Sequence, residues 1–213
     1  MDAPVGVVKA YLELCGYFVL SELPLRLPDQ HGYRDVTDID ILAVRFPHSS
    51  RPIPRHDPLA LLLGSDPELH GLSDGVDVII GEVKAGHAHV NPALRRQAVV
   101  AFALRRLSCC PEPEVPAQAE AVAKEGSKRM MMRGVLPCLI RLVVFAGEGE
   151  AGPPAVATIS LRHCTDFIER RMRKERSALA EAQLKDPVLA LFGLLAKLPA
   201  DASRKWPRQE TTE

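Results

Sequence analysis

Two stretches that otherwise read as buried strand carry ionisable residues. Asp38-Ile39-Asp40-Ile41-Leu42-Ala43 holds two carboxylates in an apolar run, and Val78-Ile79-Ile80-Gly81-Glu82-Val83-Lys84 holds a carboxylate and an amine two residues apart. Strand side chains alternate faces, so Asp38, Asp40, Leu42 and Val44 are expected on one face, and Val78, Ile80, Glu82 and Lys84 likewise share a face. With the two strands antiparallel and residue 40 opposite 82, Phe46 falls opposite Val76, which matches both strand limits. That register gathers Asp40, Glu82 and Lys84 at one end of a face that is apolar at the other, with Asp38 just beyond. Carboxylates a few ångströms apart repel each other, and a divalent cation removes the conflict; oxygen-only ligation favours Mg²⁺ or Mn²⁺ over zinc. A lysine beside such a cation can position or help deprotonate a water, or stabilise charge on a phosphate. The competing reading is a solvated strand end, with Asp40 an ordinary hairpin charge.

These residues need a sheet to hold them, and the elements supply one. Val7, Val8, Tyr11, Leu12 and Cys15 recur at helical spacing, and Gly16 follows as a stop. Residues 17–23, 36–46, 76–84, 138–146 and 155–161 are short runs rich in β-branched and aromatic residues, which predicts five strands. Asn91-Pro92 introduces a helix over 93–107. Thr165 or Asp166 is expected to cap another through about Gln183, and Asp186-Pro187 to open a last apolar helix. The order describes a mixed α/β sheet with helices against it. Two stretches interrupt it. Residues 47–75 form a proline-rich connection with room for a short helical turn at 59–63. Residues 110–134 form an insertion that reads as a mobile stretch or a surface helix. The expected organisation is a core over 1–162, C-terminal helices over 163–199 and a disordered tail over 200–213.

The strings Asp38 to Ala43 and Val78 to Lys84, together with this element order, resemble the PD-(D/E)xK nuclease superfamily, near the Holliday-junction resolvases and restriction-type nucleases. The resemblance runs over residues 7–146 and implies a restriction-endonuclease-like core, αβββαβ, with helices on both faces and extra C-terminal helices. It also implies a magnesium-dependent deoxyribonuclease, with Asp40 and Glu82 as metal ligands, the Val83 carbonyl as a further ligand and Lys84 as the catalytic lysine. Branches of the family place a glutamine on the helix after this motif, which makes Gln97 a candidate for water or phosphate contact. Many relatives carry a glutamate on the first helix. Glu13, the acid available there, lies late in that helix. The alternatives to a DNA nuclease are an RNA-directed hydrolase and a non-catalytic nucleic-acid or protein-interaction module that kept the fold.

Length and composition bound these readings. The 213 residues exceed one typical domain of about 150 by a modest extension. Lys and Arg total 27 and so do Asp and Glu, so a nucleic-acid partner would have to be held by a local patch. Candidates for the patch are Arg95, Arg96, Arg105 and Arg106 on one helix, Lys128, Arg129 and Arg133, and the stretch Arg170, Arg171, Arg173, Lys174 and Arg176. The expectation is that Arg95/Arg96 and Arg170 to Arg176 flank the metal site. His87 and His89 read as solvated loop histidines, with a metal role as the alternative, and Met130 to Met132 as packing. The five cysteines include no C-x-x-C pair and read as reduced thiols. Asp2, Lys9 and Glu13 do not fit an export signal. No apolar run approaches the roughly 18 residues of a membrane span, so a soluble cytoplasmic protein is expected. Residues 187–198 read either as core or as a homodimer contact.

Overall fold

The computed structural model describes residues 2–30, 32–47, 62–87, 91–132, 135–148, 156–177, 179 and 184–198. In chain order the elements are α1 (Ala3–Leu14), β1 (Phe18–Asp29), β2 (Gly32–Arg45), β3 (Val76–His87), α2 (Gln97–Leu107), α3 (Val115–Glu125), β4 (Ser127–Met132), β5 (Leu136–Glu148), β6 (Ala157–Ser160), α4 (Leu161–Lys174) and α5 (Pro187–Lys197). The six strands form one sheet in the order β1-β2-β3-β5-β4, with β6 beside β5. The pairs β1/β2, β2/β3 and β4/β5 are antiparallel, whereas β3/β5 and β5/β6 are parallel. Crossing from β3 to a parallel neighbour needs a long connection, which α2, α3 and β4 supply.

Hydrophobic periodicity sorts the helices onto the two faces. In β3, Ile79 and Val83 join Tyr11, Leu12, Phe145, Phe167 and Ile168 in a core beneath α1, α4 and α5. The alternate residues Val78 and Ile80 join Leu42, Leu142, Val144, Val100, Leu104 and Val122 in a second core beneath α2 and α3. Both faces of the central strands are therefore covered, which is why residues 76–83 of β3 are buried without alternation. α1 ends as its sequence predicts: Gly16 takes a left-handed φ of 84°, a conformation glycine adopts without a Cβ clash.

Several expectations are corrected. The first hairpin is longer than the apolar run, because Pro24 and Pro28 sit in the edge strand β1, where a missing N–H breaks no inner ladder. The helix after β3 begins at Gln97 rather than 93, since Asn91 accepts a hydrogen bond from the Ala93 N–H and holds a turn first. Residues 110–134 contain α3 and a sixth strand, β4, whose residues alternate exposed and half-buried at the sheet edge. Ser160, rather than Thr165 or Asp166, caps α4 by accepting from the His163 N–H, and the helix ends at Lys174 rather than near 183. Asp186 caps α5 as read, accepting from the N–H groups of Val188 and Leu189 at 3.0 Å. The turn expected at 59–63 falls mostly outside the described residues, as do the tail 200–213, His89 and Arg133.

Candidate active site

The β2/β3 ladder runs Ile41↔Gly81, Leu42↔Ile80, Ala43↔Ile79, Val44↔Val78 and Arg45↔Asp77. One step further along this register lies Asp40 against Glu82, the pairing the strand limits predict. The ladder stops there, and the Asp40 side chain takes over a backbone partner: its Oδ2 accepts from the Val83 N–H at 2.8 Å. The alternation of β2 also breaks at this residue, since Ile41 belongs to the α1 core and Ile39 to the α2 core. Strict parity therefore does not extend from Leu42 through Asp40 to Asp38. The hairpin arm curls away from β3 at Asp40, and the opened corner is where the polar side chains collect.

Glu82 is 3% exposed. Its Oε1 is ion-paired with the Lys84 ammonium, on the side chain two residues along the same face of β3. The Lys84 charge also acts on Asp40, so the amine serves both carboxylates. Burial raises the Asp40 carboxyl above its ordinary range and the charges of Asp38 and Glu22 act in the same direction, against the Val83 amide and Lys84, which lower it. A carboxylate that burial and like charges disfavour gains from an added cation.

Glu22 is a member of this corner that sequence reasoning missed. It stands between the pairs Ser21↔Ile41 and Leu23↔Ile39, hence across from Asp40, with a left-handed φ of 54°. One signal existed, an acid inside the apolar run 17–23, but only the β1/β2 register aligns it with Asp40.

Other candidates lie elsewhere. The Gln97 amide donates to the Pro116 carbonyl at 2.8 Å and ties α2 to the start of α3. Glu13 pairs with Lys9 at 3.1 Å, and Lys9 in turn with Asp186 at 3.0 Å, a link between α1 and α5. His87 ends β3 in an exposed position. Arg95 donates to the carbonyls of Ala123 and Lys124 at 3.1 and 2.8 Å, closing the C-terminal end of α3. Arg105 pairs with Glu112 at 2.7 Å.

The expectation that Arg170 to Arg176 flank the site is overturned. α4 packs on the α1 face, opposite Glu82 and Lys84. Arg171 donates to the carbonyls of Leu62 and Leu63, and the neighbouring Gly64 N–H bonds Leu14 at the end of α1 that leads into β1. That end of the sheet carries Arg45↔Asp77, away from Asp40. Arg173 is held by Glu169 at 2.5 Å, and Arg176 donates to the Lys197 carbonyl at 2.8 Å.

The sheet buries a second charged group at that far end. Asp77, fully buried, accepts from Arg141 Nε and Nη2 at 3.1 and 2.9 Å and from the Tyr17 hydroxyl at 2.8 Å. Arg141 also donates to the Leu69 carbonyl and Arg45 to that of Leu72, so the network clamps the end of the long connection onto the sheet. Asp66 adds a second clamp, accepting from Tyr11 at 2.8 Å and contacting His163 Nε2 at 2.6 Å. Both carboxylates are satisfied by protein donors.

No family model matches the chain, and no curated protein or solved structure is significantly similar. Among the described residues, no three His, Cys, Asp or Glu side chains converge as a ready-made metal cage. No helix among them is long and apolar enough to cross a membrane. Asp40, Glu82 and the adjacent backbone are oxygen donors, the ligand chemistry that a hard divalent cation takes.

Proposed function

We propose that this chain is a divalent-metal-dependent nuclease with a restriction-endonuclease-like core, acting on phosphodiester bonds, DNA first. The observation that carries the reading is the corner itself: Asp40 and the buried Glu82 lie on adjacent strands at the point where β2 leaves β3, with Lys84 acting on both. Asp40, Glu82 and the Val83 carbonyl would hold Mg²⁺ or Mn²⁺, which when bound supplies Lewis-acid charge for the phosphate and acidifies a water. The chain's own contribution is positional. The Val83 N–H fixes the orientation of the Asp40 carboxylate, and the rigid β3 backbone fixes Glu82 relative to Lys84. The Lys84 ammonium would donate to an attacking water or a phosphate oxygen at this corner.

One observation favours a second reading. The basic helix α4 faces away from the corner, and Arg171, Arg173 and, just past the helix, Arg176 are engaged within the chain, which leaves less local positive charge for a polynucleotide and gives the non-catalytic interaction module a physical basis. The two readings separate in a cleavage assay with single-stranded, duplex and branched DNA and structured RNA, in Mg²⁺, Mn²⁺ or EDTA. The nuclease reading expects metal-dependent cleavage of at least one substrate, lost in Asp40→Asn and Glu82→Gln and reduced by about 10²-fold or more in Lys84→Ala. Cleavage at full rate by either carboxylate variant, or none of any substrate with either metal, overturns it.

A further inference from the structure

The corner at Asp40 carries a cation of its own. The Glu82 side chain is nearly sealed, whereas the Lys84 side chain paired with it is 28% exposed. The two stand at i and i+2 on one face of β3, so their Cα atoms lie about 7 Å apart. The backbone between them is held to β5 through Glu82↔Val144 and Lys84↔Ala146 and cannot slide to relieve the pair. Of the two partners, Lys84 is the one free to swing into water, on a long flexible stem that ends in a strongly hydrated ammonium. Its charge reaches the next strand as well. Burial, Asp38 and Glu22 push the Asp40 carboxyl up, and the Val83 amide and Lys84 pull it down. The ammonium thus acts on both Asp40 and Glu82, the carboxylates between which a divalent ion would place its charge.

We propose that Lys84 is a built-in counter-cation, which competes with a divalent ion for this corner and thereby sets the affinity for metal. This role rests on the metal site proposed above and adds what holds its affinity down. Two cations beside the buried Glu82 repel each other, and each weakens the pull of the carboxylate on the other. Metal loading therefore carries the cost of parting Lys84 from Glu82. Partial exposure keeps that cost low enough for exchange, since water takes up the released ammonium. A charge within about 4–6 Å moves a neighbour's ionisation by about one to three decades. The same ammonium should weigh on a divalent ion at least as heavily, because the ion carries twice the charge of a proton. Removing it should tighten divalent binding by at least about tenfold. Lys84→Arg keeps the charge, whereas Lys84→Met and Lys84→Gln remove it with an apolar and a polar side chain, which separates charge from packing.

Calorimetric titration of the full chain with Mg²⁺ and with Mn²⁺ reads this affinity with no substrate present. Lys84→Met and Lys84→Gln, each shown to be folded by near-ultraviolet circular dichroism, are expected to bind at least about tenfold more tightly than wild type. Lys84→Arg is expected to bind as wild type does. Adding Asp40→Asn or Glu82→Gln to Lys84→Met should abolish the gain. Binding that depends on both carboxylates but is no tighter in Lys84→Met and Lys84→Gln, or that is tightened equally in Lys84→Arg, overturns the counter-cation and leaves the metal site standing. Binding by none of these proteins, or binding indifferent to Asp40 and Glu82, overturns the metal site and the counter-cation with it.

Discussion

Replacing Lys84 with Met tests the corner without presupposing its chemistry. The substitution keeps most of the aliphatic stem and removes the charge that pairs with Glu82, whose side chain is 4% exposed against 28% for Lys84. Breaking a fully buried ion pair from one side costs about 3–5 kcal/mol, because the remaining charge is stranded. Water reaches Lys84 and would partly solvate Glu82 in its place, so the expected loss is about 2–3 kcal/mol. At this chain length that lowers the melting temperature by roughly 4–12 °C. Lys84→Met/Glu82→Gln should recover most of it. Millimolar Mg²⁺ should stabilise Lys84→Met if a cation can replace the ammonium, since a ligand that binds the folded state alone raises its stability. Thermal melts of wild type and both variants, with and without Mg²⁺, make the comparison. A Lys84→Met melt equal to wild type, or a deficit independent of residue 82, would refute the buried-pair geometry.

Gly71→Ala should destabilise by more than about 2 kcal/mol, since its Cβ would lie 2.0 Å from Asp77 Oδ2 and 2.6 Å from Arg45 Nη2; denaturant titration measures this, and a neutral result would contradict the clamp. Burial pushes the Asp66 carboxyl up, but hydrogen bonds from His163, Tyr11 and the Glu68 amide together bring it below its ordinary value. The stability it contributes is therefore present above the unfolded carboxyl pKa near 4 and lost as pH falls through the lower folded value, so Asp66→Asn should flatten the acid limb of a stability–pH curve. All five thiols are free, and four are buried; burial pushes Cys109 up to about 12 and Cys138 to about 11. A thiol-disulfide reagent should therefore modify only the half-exposed Cys110 in the native state, slowly, and all five after denaturation.

The local features legible from sequence were those set by neighbours along the chain. Helix α1 and its Gly16 stop, the Asp186 cap, the three long central strands and the register that brings residue 40 to 82 follow from apolar periodicity, capping chemistry and matched strand limits. β4 escaped because a lysine-, arginine- and methionine-rich edge strand has no apolar run; its alternation becomes visible only once β5 lies beside it. α4 starts earlier than read because β6 passes into it at Ser160, a cap overlooked beside the more conspicuous Thr165 and Asp166.

What sequence alone determined is the inventory and order: two carboxylates and a lysine near strand ends, in a chain able to cover both faces of a mixed sheet. Tertiary structure decided who meets whom. The break in β2 alternation at Asp40, the arrival of Glu22 across from it and the α4 arginines on the far face all depend on how the strands curl and which face each helix takes. Strand pairing and helix placement answer to contacts between residues far apart in the chain, summed over the whole molecule, and no local spacing encodes that sum.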